Sequence, residues 1–326
     1  MKYGIIGTGW IAESFIKGVR LKTDSVITAV YSRTEEKGGA FARKYNIPAV
    51  YTDLDAFAGG VFDAVYIASP NVLHYSHSMK MLEAGKHVLC EKPAGVNPDE
   101  IRMCIKTADE KNLIYAEAIM YMHSPVRNIL RCALDNLGRI SSARFDFTQL
   151  SSKYPAYLRG ENPNIFNPAL ATGCFMDLGI YCVYPAVDLF GMPEKVEASS
   201  IFLDTGADCS GSAILNYGDK IISLTYSKIA QDYAGSFIYG DKGTIEIESI
   251  SKLINISLID NSGKKTCLRG EDSKEEIMGF EAESFESFAA GLRKEEYELL
   301  HRRMIEVGEL MYKIRQISGI KFLKEN

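Results

Sequence analysis

The sequence predicts an α/β protein in two parts. The first is an open parallel sheet with helices on both faces, and the second an α+β domain on a mostly antiparallel, open-faced sheet. Three observations carry this. Near-continuous apolar runs at 3–6, 26–31, 64–68 and 87–90 suit strands buried on both faces. Amphipathic patterns lie between them, the order that right-handed βαβ units require. Beyond about residue 122 the pattern becomes one of alternating strands and hairpin turns.

Taken in order, Ile11, Phe15, Ile16 and Val19 share a helical face behind the first run. Val72, Tyr75, Met79 and Leu82 form a second such face, and Ile101, Cys104, Ile105 and Ala108 a third. A further helix at Val126, Ile129, Leu130, Ala133 and Leu134 stops at Gly138. Ala143, Phe145 and Phe147 then alternate with Arg144, Asp146 and Thr148. Extended runs follow at 196–204, 212–217, 220–227, 234–239, 244–248 and 253–259, with turn sequences at 216–219 and 239–243. Leu300, Met304, Val307, Met311 and Ile314 form a closing helical stripe, read as core. The expected domains are 1–122 and 123–326, with the final helix an element that can pack back on the first domain.

Composition narrows the function. The 326 residues suffice for about two domains at ~100–200 residues each. Hydrophobic residues at 46% and charged residues at 24% exclude a disordered or fibrous chain. With 37 basic and 42 acidic residues, no cationic surplus exists to neutralise a nucleic acid. The longest stretch without Lys, Arg, Asp or Glu, 64–79, contains Pro70, Asn71, His74, Ser76 and His77, so no membrane span is expected. The N-terminus has no small-residue cleavage site, and the 7 Cys are scattered without a C-x-x-C pair. Both point to a cytoplasmic protein with reduced thiols and no zinc site.

Gly7-Thr8-Gly9-Trp10-Ile11-Ala12 follows the first strand and opens the first helix, a G-x-G-x-x-A pattern. Gly7 permits the tight turn, Gly9 lets backbone approach a pyrophosphate, and Ala12 lets helix and strand pack closely. The helix N-terminus supplies free N–H groups and partial positive charge. This is the Rossmann dinucleotide signature in its strand–turn–helix context. The second strand ends at Ser32 and Arg33, where an NAD site would place an acid for the ribose 2′-OH. A hydroxyl and a guanidinium suit a 2′-phosphate, so NADP(H) is favoured. Glu35 and Glu36 leave NAD(H) open.

Glu91-Lys92-Pro93 follows the strand at 87–90, at the end of a parallel sheet where ligands bind. Proline biases Lys92 to an extended conformation and allows a cis bond. Further on, Asp177 and Tyr181 lie four apart in an apolar run, on one helical face. His74 and His77 are three apart, but no carboxylate completes a metal set, and no metal is expected.

Together these motifs resemble the Gfo/Idh/MocA family of NAD(P)-dependent oxidoreductases along essentially the whole chain. The branch that the 88–97 and 177–183 segments are most similar to contains dimeric dihydrodiol dehydrogenase, also an NADP-dependent D-xylose dehydrogenase. The resemblance implies that Lys92 is catalytic, that Glu91 helps hold the nicotinamide ribose, and that Asp177 and Tyr181 line the substrate pocket. It also implies that Ser69, Asn71 and His74 lie by the cofactor, and that the protein is a homodimer or a dimer of dimers. Met122 departs from the pattern, since relatives often carry Arg there. The expected activity is hydride transfer between NADP(H) and a sugar or cyclic diol, with Lys92 and Tyr181 as a coupled acid/base pair. Asp177 orients Lys92 or a substrate hydroxyl. The alternatives are a glycoside-cleaving enzyme with tightly bound NAD, and a non-catalytic dinucleotide-binding regulator.

Overall fold

A computed structural model describes residues 1–322. The described residues divide into two compact units, Met1–His123 with Ser273–Ile305, and Ser124–Asp272 with the described residues after Ile305. In the first unit the strands are β1 (Lys2–Ile6), β2 (Val26–Tyr31), β3 (Ala49–Tyr51), β4 (Ala64–Ile67), β5 (His87–Glu91) and β6 (Tyr115–Ala118). All neighbours pair in parallel, in the order β3-β2-β1-β4-β5-β6. Helices α1 (Trp10–Lys22), α2 (Glu35–Tyr45), α3 (Leu54–Ala58), α4 (His74–Glu83), α5 (Pro98–Glu110) and α6 (Met120–His123) connect and flank them. The strand order reverses between β1 and β4, and in such sheets ligands bind beyond the carboxyl ends at that switch point. Ile5, Val30, Val65 and Leu89 are fully buried, as their apolar runs require. Strands β3 and β6 had no such run to announce them. They are short, and β6 reads Tyr-Ala-Glu-Ala, with its Glu117 buried.

The second unit opens with α7 (Val126–Leu134), β7 (Ile140–Thr148), α8 (Tyr154–Leu158) and α9 (Ile180–Phe190). Its sheet is completed by β8 (Lys195–Phe202), β9 (Asp208–Asn216), β10 (Ile221–Ser227), β11 (Ser236–Gly240), β12 (Gly243–Ser249), β13 (Ile254–Asp260) and β14 (Lys265–Arg269). The order is β14-β13-β12-β11-β7-β10-β9-β8, antiparallel except for the β7–β10 pair. Strand alternation turns Phe145, Leu215, Leu224 and Ile245 into the core, where α9 packs against β7 and β10. The opposite face carries Ile214 and Ile221, 40% and 50% exposed. Strand β14 (Lys-Thr-Cys-Leu-Arg) is too polar to be read as a strand from sequence.

Two helices close the chain, α10 (Lys274–Ala289) and α11 (Lys294–Ser318). A capping box between Ser273 and Glu276 starts α10. Met278, Ala282, Phe285 and Phe288 of α10 join the core of the parallel-sheet unit. The boundary expected from sequence at 122/123 would send all of these residues to the second domain, whereas packing groups Ser273–Ile305 with Met1–His123. Leu300, Met304, Val307, Met311 and Ile314 of α11 are all buried.

Candidate active site

The glycine turn sits where β1 meets α1. Gly7 has φ +107°, and a Cβ there would lie 2.5 Å from the Ala68 carbonyl oxygen, so only glycine fits. A Cβ on Gly9 would meet nothing within 4 Å, which leaves the approach over the turn open to a ligand. Among the described residues, no side chain caps α1, so its first N–H groups face the same side. Ala12 is fully buried against the sheet. These features fit a dinucleotide diphosphate. Trp10 is 66% exposed, with the Lys274 ammonium 3.8 Å from its ring centroid. Thr8 and Ile11 are half-buried. At the end of β2, Ser32 is buried and its N–H donates to the Tyr51 carbonyl at 3.0 Å, while Arg33 is exposed.

At the end of β5, Glu91 is buried and its carboxylate accepts from the Tyr66 hydroxyl. The Lys92–Pro93 bond is cis. His74, at the start of α4, lies with Nδ1 2.8 Å from the Pro93 carbonyl and Nε2 2.7 Å from the Ser69 carbonyl. A neutral ring carries one N–H and can donate to only one of the two. Burial holds its pKa below the ordinary value, and pushes the neighbouring His77 down to about 4. His74 therefore ties the β4–α4 connection to the turn that carries Lys92. Asn71 is half-buried in the same connection. Glu281 on α10 is 1% exposed, and burial followed by the charge of Glu91 raises its carboxyl well above the usual range. Met122 packs against the apolar core.

In the second unit, Asp177 stands in a π-helical turn, Phe175–Gly179, that leads directly into α9. Such turns are frequent at functional sites. Gly179 lets the Phe175 ring lie on the backbone, since a Cβ there would come within 2.3 Å of it. The buried Asp208 carboxylate accepts the Phe175 N–H at 2.6 Å, and burial pushes its pKa up to about 6. Tyr181 is 8% exposed and meets the Phe147 ring edge-on at 5.5 Å. The Asp177 carboxylate is paired with the ammonium of Lys228, the residue after β10. Sequence reasoning missed Tyr66, Glu281, Asp208 and Lys228. Tyr66, Asp208 and Lys228 have no motif around them that would have flagged them, and Glu281 is one of several glutamates on α10.

No group of three or more His, Cys, Asp or Glu among the described residues is placed to hold a metal ion. No helix among them is long and apolar enough to cross a membrane.

A doubly wound parallel sheet with an open glycine turn at its switch point defines a dinucleotide-binding class of protein. Residues 1–119 match the family model described as oxidoreductase family, NAD-binding Rossmann fold, and residues 132–246 match the GFO/IDH/MocA C-terminal domain. The chain belongs to the Gfo/Idh/MocA oxidoreductase family. It is 36% identical to scyllo-inositol 2-dehydrogenase (NADP(+)) IolU of Bacillus subtilis (strain 168), over 99% of this chain and 98% of the relative. It is 31% identical to trans-1,2-dihydrobenzene-1,2-diol dehydrogenase of Xenopus tropicalis, over 76% of this chain and 75% of the relative. Levoglucosan dehydrogenase, solved with NADH and levoglucosan, shares the fold at a TM-score of 0.84 and 18% identity, covering 98% of this chain and 97% of that one.

Proposed function

We propose that the protein is an NADP(H)-linked dehydrogenase that oxidises a ring hydroxyl of a polyol or sugar, or reduces the matching carbonyl. The likeness to the NADP-dependent inositol dehydrogenase, which runs nearly end to end in both chains, carries this reading. At the end of β2, Ser32 and Arg33 support NADP(H) over NAD(H), because neither repels a 2′-phosphate as an acid would. The cradle from Gly7 to Ile11 holds the diphosphate, and Ser69, Asn71, His74 and Glu91 serve the nicotinamide half. The 7 free thiols among the described residues support a reducing, cytoplasmic setting. Exposed Ile214 and Ile221 on the outer sheet face support a homodimer or dimer of dimers.

When bound, the nicotinamide supplies the hydride acceptor. Lys92 and Tyr181 share the accompanying proton. A phenol with an ordinary pKa near ~10 is a poor base at neutral pH. An ammonium working with it favours the phenolate, which accepts the hydroxyl proton as the C–H pair departs. Asp177 accepts a hydrogen bond from a substrate hydroxyl and so selects which carbon reacts.

The purified protein should be incubated with NADP⁺ or NAD⁺ and a panel of inositols, aldoses and trans-diols. NADPH formation, faster than NADH formation, is the expected result. Sugar cleavage with the cofactor unchanged would identify a glycoside-cleaving enzyme instead. Ligand binding without chemistry would identify a regulator, and either result overturns the reading.

A further inference from the structure

We propose that Lys228 is a positioning residue of the reaction, acting through its ion pair with Asp177 to fix the carboxylate that receives the substrate hydroxyl. This rests on the reading of the protein as a polyol or sugar dehydrogenase.

The Lys228 side chain is 3% exposed and that of Asp177 34% exposed, so one partner is sealed in the protein and the other reaches solvent. The ammonium bonds Asp177 Oδ2. Its backbone is held on both sides. The Lys228 N–H donates to the Cys209 carbonyl at 2.8 Å, and its carbonyl accepts from the Ser151 N–H at 2.9 Å. The lysine's main chain is therefore anchored at the end of the sheet, and its ammonium reaches Asp177 on the π-helical turn. A second carboxylate, Asp208, feels the charge of the same ammonium and accepts the Phe175 N–H at the start of that turn. Asp208 sets the main chain of the turn, and Lys228 sets the one exposed carboxylate on it.

Stability is a weak explanation for this arrangement. Desolvating a lysine is costly, and an apolar side chain of similar volume commonly serves a core at least as well as an ion pair. A half-exposed aspartate, by contrast, rotates about two side-chain bonds unless something holds it. A carboxylate that must accept one particular hydroxyl gains from being held beforehand.

The test compares wild type, Lys228→Met, Asp177→Asn and the double variant, with Lys228→Arg as the conservative replacement. Steady-state turnover is measured on the best polyol of the panel, NADPH affinity by direct titration, and thermal unfolding for each variant. Lys228→Met should lower kcat/KM by roughly 10- to 100-fold, the worth of one charge-assisted hydrogen bond. NADPH affinity should stay at the wild-type value, Lys228→Arg should regain part of the loss, and the double variant should be no slower than Asp177→Asn. If Lys228→Met does not fold, Lys228→Gln takes its place in the same cycle. Wild-type turnover with independent, multiplying losses from the two sites overturns the pairing and leaves the dehydrogenase reading intact. So does a Lys228→Met enzyme at wild-type rate. Absence of wild-type turnover on every substrate overturns the dehydrogenase reading, and the role of Lys228 with it.

Discussion

Lys92 and Tyr181 are the residues on which the proposed chemistry is most exposed to test. General acid–base positioning contributes about 10²–10⁴-fold. Lys92→Met should therefore lower kcat by roughly that factor while NADPH binding stays near wild type. Tyr181→Phe should also lose activity, and full activity in that variant would remove the phenol from the proton transfer. The same scale shows what a sequence can disclose about a site. Glu91-Lys92-Pro93 and Asp177 to Tyr181 are legible because each is a contiguous run of unusual residues at an element boundary. Lys228 is a single charge after a strand, and its partner is 51 positions away. Glu281 lies among other glutamates of α10, so only burial separates it from Glu275, Glu276 and Glu286 on the same helix. Such residues become visible when packing shows which charges have been taken out of water.

Among the elements that the sequence concealed, α10 supplies core residues to the parallel-sheet unit. It crosses α1 at a pair of glycines. A Cβ on Gly18 would lie 2.6 Å from the Gly279 nitrogen and 2.8 Å from the Met278 carbonyl carbon, both rigid backbone atoms. The helices approach this closely because neither has a side chain at the contact. Gly18→Ala should force them apart and destabilise the protein by about 1–3 kcal/mol, read from the midpoint of urea unfolding. Gly9→Ala is the control, since its Cβ meets open space and its φ of −84° is ordinary, and it should unfold like wild type. Strands β1, β2, β4 and β5 are legible because a strand buried on both faces has to be apolar throughout. The α10 stripe of Ile277, Met278, Ala282, Phe285 and Phe288 is diluted by the glutamates between them, which weakens the periodic signal.

At the scale of the molecule, the fold class could be read because two kinds of periodicity occupy different stretches of the chain. The final helix reads as an element able to pack back on the first domain; what could not be read is that α10 joins it there, because periodicity reports local structure and not the surface a helix will pack on. Large apolar side chains are worth about 1.5–3 kcal/mol each when buried, and a whole domain is stable by only ~5–15 kcal/mol. Met278, Phe285, Phe288, Leu300 and Met304 all lie in the core that residues 1–122 would otherwise complete alone. A fragment of 1–122 should accordingly lack a cooperative thermal transition by circular dichroism. Supplying Ser273–Ile305 in the same polypeptide should restore one, and a sharp melt of the short fragment would show that its own core suffices.

The interleaving also limits how such a protein can be recombined. A chimera that trades the nucleotide-binding half for one of another cofactor preference cannot be made with a single crossover. The donor has to contribute its late helical segment as well, or the transplanted sheet meets a foreign helix at the Gly18–Gly279 crossing, where there is no slack for a mismatch.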